Sequence, residues 1–152
     1  MTSHLVVASQ LIPASVQQVY AIIADYNQGH PHILPKPHFV SLTVEKGGVG
    51  AGTEIQFQMR LMGQVRTFRA AVTEPEPGRV LVETDLDTGA ATTFTVDPRD
   101  DGRHSYVTIA TEIKARPGIL GKLERWLASR LLHPIYVKEL QQLAFVAMQQ
   151  TR

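Results

Sequence analysis

The stretch Thr53-Glu54-Ile55-Gln56-Phe57-Gln58-Met59-Arg60-Leu61 decides the fold. Ile55, Phe57, Met59 and Leu61 alternate with Glu54, Gln56, Gln58 and Arg60, so one face is oily and the other polar. A period of two with that contrast marks a half-buried antiparallel strand. Met62-Gly63 turns the chain into a second strand, Gln64 to Thr73. Pro75-Glu76-Pro77-Gly78, Thr88-Gly89 and the segment Asp97 to Gly102 punctuate three more strands, Arg79 to Asp85, Ala91 to Val96 and His104 to Ile113. Upstream, Phe39 to Lys46 and His4 to Ile12 also read as strands. The connectors from Phe39 onward are too short for a parallel crossover, which needs about a dozen residues. The sheet is therefore predicted to be a seven-stranded antiparallel meander with the first strand closing one edge.

Helices bracket this meander. Ser15 caps a short helix, with Gln18 three residues on completing a capping box. Val16, Val19, Tyr20 and Ile23 give it one apolar face. The segment Asn27 to His38 carries Pro31, Pro35 and Pro37, which limits it to a loop with at most a turn of helix, anchored by Ile33 and Leu34. A long helix from about Gly118 to Gln149 closes the chain. Its apolar stripe before Pro134 is read as Ile119, Leu120, Leu123, Trp126 and Leu127, and after it as Tyr136, Val137, Leu140, Leu143, Ala144 and Ala147. Proline inside a helix predicts a kink. A bend at Pro134 would let both halves follow a curved sheet.

Composition bounds the function. The 152 residues form one expected domain, 1–152, with room for a core. Fifteen basic and fourteen acidic residues leave a net charge of +1, which argues against nucleic acid as a partner. The absence of cysteine removes disulfides, thiolate metal sites and cysteine nucleophiles. No stretch reaches the roughly 20 apolar residues of a membrane span. The opening residues lack a secretory pattern, so a cytoplasmic protein is expected.

No catalytic motif of known spacing is present, and no cofactor or metal is expected. Gly47, Gly48, Gly50 and Gly52 precede a strand rather than a helix, so they suit a flexible connection better than a phosphate site. His30, His32 and His38 share the proline-rich loop. Their loose spacing is weak evidence for a metal site; they read either as solvent-exposed or as a polar rim on a pocket mouth, with His32 the candidate there. Arg130 falls on the first apolar stripe of the long helix, where it should face the sheet. There it would need a carboxylate or a bound anion, and the alternatives are an internal salt bridge or a guanidinium reaching the helix edge. Phe57, Met59, Phe68 and Phe94 from the sheet, with Leu123, Trp126, Leu127 and Arg130 from the helix, are the predicted ligand-binding set beside His32. Glu83, Asp85 and Glu112 lie on strands whose facing alternation does not settle.

Several stretches together resemble the START-related helix-grip superfamily, in its polyketide cyclase/dehydrase and lipid-transport-like branch. They are Pro13-Ala14-Ser15-Val16-Gln17-Gln18-Val19-Tyr20, Asp25-Tyr26 before the proline-rich loop, Gly50-Ala51-Gly52-Thr53, Glu74-Pro75, and Thr92 to Pro98 followed by Asp101-Gly102. With the long final helix they span nearly the whole chain. The resemblance implies an α+β helix-grip fold, a curved sheet wrapped around the C-terminal helix. It also implies binding of a hydrophobic or amphipathic small molecule between the two. Some relatives catalyse cyclisation or dehydration, while others carry ligands or bind proteins or membranes, so enzyme activity stays open. A monomer or homodimer is expected. Where the family usually has an aromatic residue after the first helix, this chain has His30-Pro31-His32.

Overall fold

A computed structural model describes residues 2–115 and 117–150. Strand β1 (Thr2–Ile12) leads into helices α1 (Val16–Ala24) and α2 (Gly29–Ile33). The meander follows as β2 (Phe39–Lys46), β3 (Glu54–Leu61), β4 (Gln64–Glu76), β5 (Val80–Asp85), β6 (Ala91–Arg99) and β7 (His104–Ala115). Helix α3 (Ile119–Gln150) ends the described chain. The spatial order β1-β7-β6-β5-β4-β3-β2 makes one antiparallel sheet with β1 and β2 at its edges. This is the predicted helix-grip architecture. Strand β4 runs three residues further than expected because a register shift between Thr73 and Glu76 accommodates Pro75, which has no N–H to give. No helix among the described residues is long and apolar enough to cross a membrane.

Alternation sends one residue in two toward the helices. Ile55, Ala70, Val72, Leu81, Phe94, Val96, Val107 and Ile109 are buried there, with Val6, Ala8 and Ile12 from β1. Opposite them lie Val19, Ile22 and Ile23 of α1, Ile33 of α2, and Ile135, Leu140, Leu143 and Ala147 of α3. The capping box at Ser15 is formed, with the Gln18 amide N–H donating to Ser15 Oγ.

The half of α3 before Pro134 departs from its expected packing. Ile119, Leu120, Leu123 and Trp126 are exposed, Leu127 is half-buried, and Arg130 is exposed. The face turned inward instead carries Gly121, Ala128, Leu131 and Leu132. At about 100° per residue, Ile119, Trp126 and Arg130 lie on roughly the opposite side of the helix from Gly121 and Ala128. The helix continues through Pro134, so its phase is set by the firmly packed second half, where Ile135 and Glu139 continue the line of Gly121 and Ala128.

The glycine-rich β2–β3 connection is a clasp rather than a slack turn. Gly48 O accepts from the Tyr26 amide at 2.8 Å, and the Gly50 amide donates to Ala24 O at 2.9 Å, so the loop is pinned to the end of α1. Gly50 has φ +67°, and a Cβ there would meet Glu74 Oε1 at 2.3 Å. That carboxylate is already engaged by the Ala51 amide and the Tyr20 hydroxyl. Gly50→Ala should therefore lower stability by more than the roughly 1–2 kcal/mol of a left-handed non-glycine residue. Gly52→Ala, with φ +90° and open space, should show only the backbone part. Denaturant midpoints of the two variants check the order.

Candidate functional site

Register builds one polar row on the inner face of the sheet. Glu83 of β5 pairs with Thr92 of β6, and Thr92 pairs with Thr111 of β7. Alternation points all three toward α3. There Thr92 Oγ1 and Thr111 Oγ1 are 2.8 Å apart, and Thr111 Oγ1 meets the Tyr136 hydroxyl at 2.5 Å. Burial is the largest cause that pushes the Tyr136 hydroxyl up to about 12.

A second group comes from the other side of the fold. The clasp on α1 sets Tyr26, and α2 sets His30. The short helix α2 lies tight on α1, since a Cβ at Gly29 would meet Ile22 O at 2.6 Å. That contact turns His30 inward, 2% exposed, stacked on Tyr26 at 4.3 Å and edge-on to Phe94 at 5.6 Å. Its Nδ1 sits 2.7 Å from Ile23 O. A carbonyl only accepts, so Nδ1 carries the proton and Nε2 is the working nitrogen. Nε2 stands 3.5 Å from Glu83 Oε2 and 3.9 Å from Glu139 Oε1. The Tyr26 hydroxyl donates to the same Glu83 oxygen at 2.5 Å. Four elements thus deliver Tyr26, His30, Glu83 and Glu139 to one point.

Glu139 is the least satisfied member. It is 3% exposed, and among the described residues its carboxyl makes no hydrogen bond. Burial, and then the charge of Glu83, hold it well above its ordinary 4.5. Burial and Glu83 likewise push the Tyr26 hydroxyl well above 10.

Two neighbouring spaces with shared walls open in front of these groups. The inner one, about 70 Å³, is lined by His30, Phe39, Ile55, Phe94 and Glu139 among others. The outer one, about 310 Å³, is lined by Phe68, Ala70, Ala90, Ala128 and Leu132 among others. Phe57, Met59, Glu83, Thr92 and Tyr136 border both. Phe57 stacks on Phe68 at 5.4 Å and leans on Phe39 at 6.1 Å. Among the described residues no lysine or arginine lines either space. Among the described residues no three His, Asp or Glu side chains are placed to hold a metal ion.

The structure brings Phe57, Met59, Phe68 and Phe94 together at this chamber. It places the helix residues of the predicted set elsewhere. Arg130 lies over the Trp126 ring, 5.1 Å from its centre, beside an outer groove between β1 and α3. Leu123 is on the exposed helix face, and Leu127 borders neither space. His32 is exposed, with Nδ1 against Gln28 O, and lines a surface dent instead. The expectation that Arg130 faces the sheet is therefore corrected by the phase of α3. The choice of His32 is corrected by α2, which turns His30 inward and His32 outward. His30 and Glu139 are the residues that sequence reasoning passed over. A glutamate at 139 inside the apolar run Tyr136-Val137…Leu140 was the available signal.

A family model described as "Polyketide cyclase / dehydrase and lipid transport" matches residues 3–147. A search among curated proteins finds no match. Among solved structures, the KanY protein (ms6282) is 28% identical, with a TM-score of 0.83 over 97% of this chain and 99% of that one. The Zhui aromatase/cyclase from Streptomyces sp. R1128 is 14% identical, with a TM-score of 0.81 over 99% and 97%. A START superfamily protein from Mycobacterium smegmatis is 15% identical, with a TM-score of 0.72 over 97% and 99%. At those last two identities the likeness is one of fold.

The raised Glu139 carboxyl gives the protein a pH signature. A group whose folded pKa exceeds its unfolded one contributes stability that is present below the unfolded value and lost as pH rises through the folded one. Glu139 should therefore weaken the fold steadily as pH rises above about 4.5, its ordinary value. Glu139→Gln should remove that decline and be the more stable protein at pH 8. Thermal midpoints of both proteins between pH 5 and pH 9 check this.

Proposed function

Because the chain belongs to the polyketide cyclase/dehydrase and lipid transport family, we propose that it binds a hydrophobic or amphipathic small molecule between the sheet and α3. One observation carries the reading. The inner sheet face and α3 do not meet everywhere, and the space left is walled by Phe57, Met59, Phe68 and Phe94, with its polar groups gathered at one place. Apolar walls with a few convergent polar groups are the usual make-up of a small-molecule site. In this reading the protein is a cytoplasmic carrier, working as a monomer or homodimer.

The neutral dye N-phenyl-1-naphthylamine tests the chamber directly. Its emission should rise on binding. Ala128→Trp, which fills the outer space from α3, should weaken binding by about tenfold or more, since overfilling a packed site costs roughly 1–3 kcal/mol. Arg130→Ala should leave binding unchanged, because Arg130 lies on the outer groove. Trp126 is exposed and makes a poor internal reporter, so the dye is the better signal. Absence of dye binding to the wild-type protein would overturn the reading.

A second reading, a cyclase or dehydratase acting on an aromatic or polyketide-like substrate, is favoured by His30. Its ring borders the inner space, with Nε2 3.5 Å from the Glu83 oxygen that accepts from the Tyr26 hydroxyl. An imidazole so placed is suited to moving a proton. Under this reading His30→Gln abolishes turnover and His32→Ala retains it, measured as product formed from a linear aromatic polyketide mimic. Equal activity of the two variants would remove it.

A further inference from the structure

We propose that the inner end of the chamber receives the ammonium group of an amphipathic amine, whose apolar body lies along Phe57 and Phe68 in the outer space. The inference rests on the chamber being a ligand site, and it names the class of ligand. The first observation is the sign of the charge. Glu83, Asp85 and Glu139 border the two spaces, and among the described residues no lysine or arginine does. Apolar surroundings strengthen the pull of such carboxylates on a cation and their repulsion of an anion.

The second is which of the three acids is unspent. Asp85 Oδ1 accepts from the Asp87 and Thr88 amides of its own turn. Glu83 Oε2 accepts from the Tyr26 hydroxyl. Glu139 is 3% exposed, borders the inner space and makes no hydrogen bond among the described residues. Buried polar groups are almost always hydrogen-bonded, and leaving one unmatched is costly. A ligand donor that reaches Glu139 therefore removes a cost the fold leaves standing.

The third is the arrangement of acceptors. His30 Nδ1 donates to Ile23 O at 2.7 Å, which leaves Nε2 of the neutral ring with a lone pair. Glu83 Oε2 stands 3.5 Å from that nitrogen and Glu139 Oε1 stands 3.9 Å from it. Both lie beyond a good N–H···O distance, and no hydrogen bond among the described residues links any two of the three atoms. A primary ammonium carries three N–H donors on one compact centre and can serve several such acceptors at once. A hydroxyl offers one donor, a carbonyl none, and a carboxylate would add acceptors to a place that already has them. Burial and the charge of Glu83 work against a charge on Glu139, and an ammonium beside it offsets both.

Four naphthalenes of similar shape make the test: 2-(aminomethyl)naphthalene, 2-naphthalenemethanol, 2-ethylnaphthalene and 2-naphthoate. Displacement of N-phenyl-1-naphthylamine at neutral pH reads their affinities. The amine should bind about tenfold or more tightly than the ethyl compound, the gain expected of hydrogen bonds to charged groups. The alcohol should fall between those two, and the naphthoate should bind most weakly. Glu139→Gln and Glu139→Leu should each remove most of the amine's advantage while holding the ethyl compound at least as well as wild type. Glu139→Gln keeps the shape of the side chain and carries the test if Glu139→Leu fails to fold, which a thermal midpoint for each variant reveals.

Equal affinity for amine and ethyl compound would overturn the ammonium subsite while the chamber stands as a ligand site. An alcohol as tight as the amine would overturn it in favour of a neutral donor, and a naphthoate tighter than the amine would overturn it through the sign of the charge. An amine advantage undiminished in the folded Glu139 variants would remove Glu139 as its anchor and the proposal with it. Failure of the dye and of all four probes to bind would strike the chamber itself.

Discussion

Alternation along seven antiparallel strands is the constraint on which the molecule depends. Each inward residue is committed to one face by its parity, and a slip of a single position would turn the whole set outward. Because the strands are joined as neighbours, parity is passed across the sheet. It is how Glu83, Thr92 and Thr111, far apart in the chain, come to lie in one row. The same rule packs Leu81, Phe94, Ile109 and Ala8 in the next inward row. A polar row beside an apolar row is what gives the chamber a wall and a working end.

The helices decide what the sheet encloses. The second half of α3 fills its part of the core with Leu140, Leu143 and Ala147. The first half turns small residues inward, Gly121 and Ala128, and leaves room. The clasp between the glycine loop and the end of α1 sets Tyr26, and the tight seat of Gly29 on α1 sets His30. The polar cluster is thus assembled by backbone contacts at a distance from it. Disturbing the clasp should loosen the site as well as the fold.

The carboxyl at Glu139 carries a cost that the fold does not relieve by itself. An apolar residue of similar size would pack there without penalty. Its presence beside a second carboxylate, with His30 Nε2 just beyond hydrogen-bond range, sets the chamber apart from an ordinary core gap. The acid lies on α3 and its neighbours on β5 and α2, so any ligand that satisfies it also bridges the grip of the sheet on the helix.

The chain by itself determined the antiparallel sheet, the capped first helix, the long last helix and the oily residues Phe57, Met59, Phe68 and Phe94 that wall the chamber. These follow from periodicity, turn residues and connector length, which are local properties. Tertiary structure alone decided which side of α3 faces inward before Pro134, because two stripes there were chemically eligible. Hydrophobicity favoured Leu123 and Trp126, whereas the space available favoured Gly121 and Ala128. It also decided between His30 and His32, since a five-residue helix has too little pattern to fix its phase, and the close seat of Gly29 on Ile22 fixed it instead. Glu83 was placed by parity counted from its strand partners, and Glu139 by the phase of the helix behind it. Both are long-range consequences of packing, which no window of sequence contains.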